Sequence, residues 1–253
     1  MDNRALLVKE LYEKYPYPNP KIGDKEKLEK YSSWVPRIFG KTNLFWKKKN
    51  VLELGCGTGE FANSIALHGA KVEGIDFSKN SINKARITSK KYKTKAKFNV
   101  KNILDFNDKR KFDVVVALGS LHHTIDAQKG FLIATRHTKK EGYIVVGLYN
   151  KYGRFRHRSR RFLLWALCGN DIEGRIKFGK KWFEGDKSES WLADKYGQVH
   201  ESYHSVTEVL KWFNEEGIEF IASKPKFENP LLDEIGWFFE EKGAFFVMVG
   251  KKI

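Results

Sequence analysis

Apolar positions along the chain fall into two regimes. From residue 50 onward, short apolar runs alternate with helix-length polar segments, the pattern of a mostly parallel α/β sheet with strands buried on both faces. The runs predict strands at 50–54, 71–75, 96–100, 112–118 and 143–148, with helices at 60–68, 79–92 and 128–137 between them. Such alternation implies right-handed crossovers and a doubly wound sheet. Ser78 stands where it can cap the second helix, and Gly69 lies where the first should stop.

The flanks read differently. Residues 1–48 carry a short helical signal (Ala5-Leu6-Leu7, Leu11-Tyr12) and then Tyr15-Pro16-Tyr17-Pro18-Asn19-Pro20, which cannot continue a helix. We assign them to an N-terminal helical, Pro-rich cap, with Tyr15 to Pro18 either a lid over a ligand or a rigid linker. Residues 49–253 form the main domain. Within it, 150–200 loses the alternation, gains Arg, Lys and Trp, and is an insertion. Ser205 and Glu208 then stand at capping-box spacing for a helix running to Glu216. Strands at 218–223 and 244–250 close the chain, separated by a long connection containing Pro225 and Pro230. No internal repeat is visible.

Composition narrows the class. With 41% apolar and 14% aromatic residues in 253, the chain can bury a full core. Two cysteines without metal spacing, Cys56 and Cys168, argue for a reducing compartment and against a zinc site or a disulfide framework. No apolar run is long enough to span a bilayer and no signal peptide is evident, so a soluble cytoplasmic protein is expected. The balance of 47 Lys and Arg against 31 Asp and Glu gives +16. Much of that excess is diffuse: residues 79–111 alone hold twelve cations and two acids.

The densest chemical signal is Glu53-Leu54-Gly55-Cys56-Gly57-Thr58-Gly59, a strand entering a glycine-rich turn and then a helix. Residues without side-chain bulk let the backbone turn tightly and let a ligand approach its amides. Asp76 ends the next strand, 17 residues after Gly59, where a carboxylate can accept both hydroxyls of a ribose. Taken singly, each feature also has a bland explanation, a turn or a helix cap.

Together these residues resemble the class I S-adenosylmethionine-dependent methyltransferases, in their small-molecule branch. Their first motif is an acid followed by GxGxG, whereas the NAD fingerprint places its third glycine one residue later. The resemblance covers roughly residues 45–150 and, more loosely, the last two strands. It implies a Rossmann-like seven-stranded sheet, mostly parallel with an antiparallel edge and helices on both faces, and S-adenosyl-L-methionine as methyl donor. It places Gly55, Gly57 and Gly59 against the donor, with Glu53 organising the turn, Asp76 on the ribose and Phe77 near the adenine. Asn102 falls where the family often has an acid that meets the adenine amine, with Ile103 beside it. Gly119, in Leu118-Gly119-Ser120-Leu121-His122-His123, faces the donor's methionine end.

The acceptor is less legible. The Asn/Asp/Ser-Pro-Pro-aromatic run of exocyclic-amine enzymes is missing after the fourth strand, and no cysteine pair supports carbon-5 chemistry on a base. His122 or His123 is suited to orient or deprotonate an acceptor, and Tyr149 ends the fifth strand beside the crevice. His204 would join them if the insertion folds over the pocket. Residues 151–161 hold six cations and no acid. If they start a helix, the cations oppose its dipole and an external anion would relieve the conflict, with Arg154 and Arg158 as its ligands; nucleic acid, an anionic lipid surface, a small acidic metabolite and a plain solvated basic face all fit. Phe162 to Cys168 then packs on the core or lines a greasy pocket. We expect a small-molecule or lipid-like acceptor; RNA is the alternative, and a non-catalytic RNA- or partner-binding protein is the alternative from another class.

Overall fold

A computed structural model describes residues 2–21, 24–240 and 243–253. Its helices are α1 (Asn3–Lys14), α2 (Lys25–Lys30), α3 (Trp34–Ile38), α4 (Glu60–Leu67), α5 (Lys79–Tyr92), α6 (Ala127–His137), α7 (Phe155–Cys168), α8 (Ile172–Gly179), α9 (Glu189–Leu192), α10 (Val206–Glu215) and α11 (Pro230–Glu240). Its strands are β1 (Asn50–Leu54), β2 (Lys71–Asp76), β3 (Lys97–Val100), β4 (Phe112–Leu118), β5 (Thr138–Tyr149), β6 (Ile218–Lys224) and β7 (Phe245–Lys252).

The seven strands form one sheet in the order β3-β2-β1-β4-β5-β7-β6. Strands β1 to β5 are parallel, and β7 runs antiparallel between β5 and β6. This is the doubly wound, mostly parallel sheet that the apolar runs predict, with the antiparallel edge that the family resemblance implies. The order reverses between β1 and β4, and that switch point is where open α/β sheets bind ligands beyond the strands' carboxyl ends.

Each face of the sheet carries its own core. Leu52, Leu54, Val115, Ile144 and Val146 pack on one side with Phe131, Trp212 and Phe213. Val51, Val114, Val116 and Val145 pack on the other with Trp46, Phe61 and Ile65. Neighbouring strand residues point to opposite faces, so a run such as Val114-Val115-Val116 feeds both cores at once. The local signals act as expected: the Ser78 hydroxyl accepts from Ser81 N at 3.0 Å, and Ser205 and Glu208 make both halves of a capping box.

The insertion is mainly helical. It holds α7, α8 and α9, and π-type turns at Lys180–Glu184 and Ala193–Gly197 extend α8 and α9. Leu11 of α1 shares a small core with Leu164, Ile176, Leu192 and Tyr196, so the N-terminal helix and the insertion pack into one cap. The connection between β6 and β7 contains α11. Its Pro230 takes the first helical position, where a missing N–H costs nothing, after Asn229, whose side chain accepts from Leu232 N at 3.2 Å.

Candidate active site

One cavity of about 880 Å³ lies at the switch point, under the cap. Its floor is the glycine turn after β1. Gly55, Gly57 and Gly59 all have positive φ. A side chain at Gly55 would stand 2.2 Å from Ser120 Cβ, and one at Gly57 would stand 2.2 Å from the Tyr17 carbonyl oxygen. The Tyr15 to Pro18 segment therefore lies directly on this turn. Thr58 N donates to the Tyr17 carbonyl at 3.2 Å, Asn19 N donates to the Thr58 hydroxyl at 2.9 Å, and Tyr17 and Pro18 line the cavity.

Three carboxylates face the floor. Glu53 is buried, and its Oε2 has no hydrogen-bond partner. Burial first, and then the neighbouring Glu60 and Asp76, push its pKa well above the usual carboxylate range. Asp76 accepts from Gly57 N and from Ser78 N, each at 2.9 Å, so each oxygen is half used in holding the turn. Burial still raises its pKa against those two bonds. An orphaned buried carboxylate oxygen beside a turn free of side chains fits a ligand that carries both positive charge and hydroxyl groups.

Phe77, Asn102, Ile103 and Gly119 also line the cavity. The Asn102 amide does not offer the free acceptor expected of it. Its Oδ1 accepts from Leu104 N at 3.1 Å, and its Nδ2 donates to Asp105 at 2.9 Å. Asp105 itself borders the cavity and is the carboxylate on this wall. Gly59 lies outside the lining. It starts α4, and a side chain there would strike Ala85 at 2.5 Å, so close helix packing explains it.

The far end is built from elements distant in sequence. The Tyr12 hydroxyl of α1 donates to Asp194 at 2.8 Å, and Gln198 Nε2 donates to that hydroxyl at 2.5 Å. The Tyr149 hydroxyl lies 3.5 Å from the other Asp194 oxygen, and His123 Nε2 lies 3.9 Å from Asp194, too far for a hydrogen bond. His123 Nδ1 is 3.2 Å from the His200 carbonyl. A carbonyl only accepts, so Nδ1 carries the proton and the neutral ring presents its Nε2 lone pair toward Asp194. Burial lowers the His123 pKa although Asp194 and Glu201 pull it upward, and burial raises that of Asp194.

Arg154 lies with Cζ 3.2 Å above the Tyr149 ring and bonds Glu201 at 3.3 Å. Arg161 also pairs with Glu201, and Arg160 lies 3.9 Å from Glu184. The dipole conflict at the start of α7 is thus answered in part by carboxylates of the chain itself. Burial pushes the Glu201 pKa up, but Arg161 and Arg154 outweigh it and hold the group ionised.

Besides Gly59, three residues expected in the site are not brought to this cavity. His122 is fully buried outside it, with neither ring nitrogen bonded; its ring lies over Tyr149 at 3.7 Å and burial depresses its pKa strongly. His204 is held by the Ser202 hydroxyl at 2.8 Å and Glu208 at 2.9 Å and packs on Trp212. Arg158 stacks on Tyr203 at 4.7 Å and lines a second, smaller groove. The apolar block after it is mostly outward: Leu164 is buried, while Phe162, Leu163, Trp165 and Leu167 are exposed.

Residues 46–217 match the family model described as a methyltransferase domain. The chain belongs to the class I S-adenosylmethionine-dependent methyltransferases. The ubiquinone biosynthesis O-methyltransferase of Vibrio atlanticus is 32% identical over 75% of this chain and 70% of its own length. That of Pelagibacter ubique is 32% identical over 42% of the chain, and the match spans only 44% of its length. The magnesium protoporphyrin IX methyltransferase of Synechocystis, solved with bound S-adenosylmethionine, shares the fold at TM-score 0.61 and 11% identity, over 100% of this chain and 99% of its own. In the methyltransferase described here, no helix among the described residues is long and apolar enough to cross a membrane.

Proposed function

We propose that this methyltransferase O-methylates a small aromatic or lipid-like molecule, with donor and acceptor held together in the cavity under the cap. The observation that carries this is continuity: one cavity of about 880 Å³ joins the glycine turn to the His123, Asp194 and Tyr149 cluster. That volume lies within the range that encloses drug-sized ligands.

The side-chain-free surface of Gly55 and Gly57, the Asp76 carboxylate and the Glu53 oxygen would hold the donor, with Phe77, Ile103 and Asp105 at its adenine end and Gly119 at its methionine end. When bound, S-adenosylmethionine supplies a methyl group on a sulfonium that is already activated for transfer. The residues that remain must align the acceptor and remove its proton. His123 is the base. Its Nε2 lone pair takes the hydroxyl proton, and the Asp194 carboxylate stabilises the imidazolium formed. Tyr12 and Tyr149 hold Asp194 in place. Tyr12, Tyr17, Tyr31 and Trp34 supply flat apolar walls. Arg154, stacked on Tyr149, sets that ring's position and borders the acceptor.

The names of the Vibrio and Synechocystis proteins, which refer to ubiquinone and a porphyrin, fit such an acceptor. RNA fits less well, because Arg154, Arg160 and Arg161 spend charge on Glu201 and Glu184. Two free cysteines, one of them buried, suit a reducing cytoplasm. Incubating the protein with methyl-labelled donor and a fractionated cell extract tests the reading. Label should enter the organic-extractable or small-molecule fraction; label in RNA alone would overturn it.

A further inference from the structure

A second groove, about 420 Å³, lies between α1 and helices α7 and α8, separate from the methyl-transfer cavity. Three guanidinium groups line it, those of Arg158, Arg161 and Arg175, with the amides of Asn170 and Gln198, and no carboxylate does. Arg161 is compensated by Glu201. Among the described residues, Arg158 meets the Tyr203 ring and no carboxylate. Arg175 is the anomaly. Its side chain sits in α8 at 7% exposure, and its guanidinium makes no hydrogen bond or ion pair to any described residue.

A buried ammonium or carboxyl can shed its charge, but a guanidinium cannot, so burying one without a partner is strongly unfavourable. The opposing groups offset this only in part. The Asp171 carboxylate favours the charge from a distance but is bonded to the N-terminus of α8, accepting from Gly174 N at 3.0 Å, and neither it nor Cys168 bonds Arg175. Burial first, and then the neighbouring cation Arg161, act against the charge and outweigh them. Two fork-shaped donors, neither hydrogen-bonded nor ion-paired to a described residue, line a groove with two side-chain amides and no acid and match the oxygens of a tetrahedral anion.

We infer that the Arg158, Arg161 and Arg175 groove is a binding site for a phosphate or phosphate-ester oxyanion, distinct from the donor and acceptor sites. The wall dividing it from the main cavity is thin. Gln198 lines the groove while its Nε2 bonds the Tyr12 hydroxyl, and Glu201 joins Arg161 of the groove to Arg154 of the cavity. A phosphate carried by a soluble molecule and one in a lipid headgroup would meet the same donors. The exposed rings of Phe162 and Trp165 at the groove's rim give a lipid something apolar to rest on.

The test is a titration of the full chain with inorganic phosphate against chloride at equal ionic strength, following binding heat and the thermal midpoint. Saturable, phosphate-specific stabilisation is expected in the wild type. Arg175→Met should weaken phosphate binding at least tenfold while leaving the phosphate-free protein as stable or more so, because the unpartnered charge is gone. Arg158→Gln, at an exposed position, should weaken it severalfold and guards against misfolding of the first variant. Sedimentation with phosphatidylglycerol and phosphatidylcholine vesicles separates the sources. Pelleting only with the anionic vesicles and lost in both variants supports the lipid form; phosphate binding without pelleting supports the soluble form. No phosphate-specific effect in the wild type, or unchanged affinity in both variants, would overturn the site. So would binding of a single-stranded RNA oligomer that both variants lose while free phosphate has no effect, since that would mark an extended polyanion surface.

Discussion

The Tyr12 hydroxyl and the Asp194 carboxylate, 182 residues apart in the chain, meet at 2.8 Å across the roof of the cavity under the cap. This bond ties the N-terminal helix to the insertion at the point where the acceptor's proton would be removed. Through Gln198 on one side and Tyr149 on the other, it is the centre of a buried polar network. Such networks hold a single geometry only when every member is satisfied.

Replacing Tyr12 by Phe should therefore cost about 1–3 kcal/mol of stability, because Asp194 and Gln198 each lose a buried partner. Urea unfolding measures this. Methyl transfer should fall further than donor affinity does, since the donor end of the cavity is untouched; equal loss of both would contradict the assignment.

Removing the proposed base tests the chemistry. His123→Asn should lower turnover by about 10²–10⁴-fold with donor affinity unchanged. Because burial holds the His123 pKa below the ordinary value, the wild-type rate should stay flat as pH falls through that value and decline only below it. A decline centred at or above the ordinary imidazole pKa would rule His123 out.

His122 makes a separate prediction about stability. Its folded pKa lies well below 6.5, so between the two values the unfolded chain binds a proton that the folded chain refuses. The contribution of His122 is thus full above about pH 6.5 and is lost as pH falls toward the folded pKa. His122→Phe, which keeps a ring against Tyr149, should flatten the decline in thermal midpoint between about pH 8 and about pH 5. An unchanged decline would show that other groups carry it.

At the floor, Asp76→Asn is not a conservative change. Both oxygens accept backbone N–H groups, and an amide presents a donor to one of them. We expect about 1–3 kcal/mol of lost stability without any donor present, and donor affinity reduced tenfold or more. Gly57→Ala should act on affinity in the same direction by displacing Tyr17, whereas Gly236→Ala, with nothing within 4 Å, serves as a neutral control.

What the sequence discloses follows the reach of its physics. Strands such as Phe112–Leu118 and the turn from Glu53 to Gly59 are legible because burial on both faces and positive φ each demand particular residues locally. Helix α11 was hidden because Pro225 and Pro230 read as a connection; the Asn229-Pro230 pair, a cap followed by a first-turn proline, is the signal that marks it. Asp194 carries no local signal at all. It sits in a π-type turn of a segment without alternation, and only packing of α1 on the insertion gives it a role. The arginine cluster was misleading for the same reason: Arg154 and Arg158, four residues apart, serve different cavities, and Glu201, which joins Arg154 to Arg161, lies some forty residues further on.

Calorimetric titration with S-adenosylhomocysteine, the donor's demethylated product, tests the central claim most directly. One site per chain is predicted, with affinity reduced at least tenfold in Asp76→Asn and Gly57→Ala and unchanged in Arg175→Met. A folded protein that gives no binding heat with this ligand, under conditions where its thermal midpoint is also unmoved, would contradict the account.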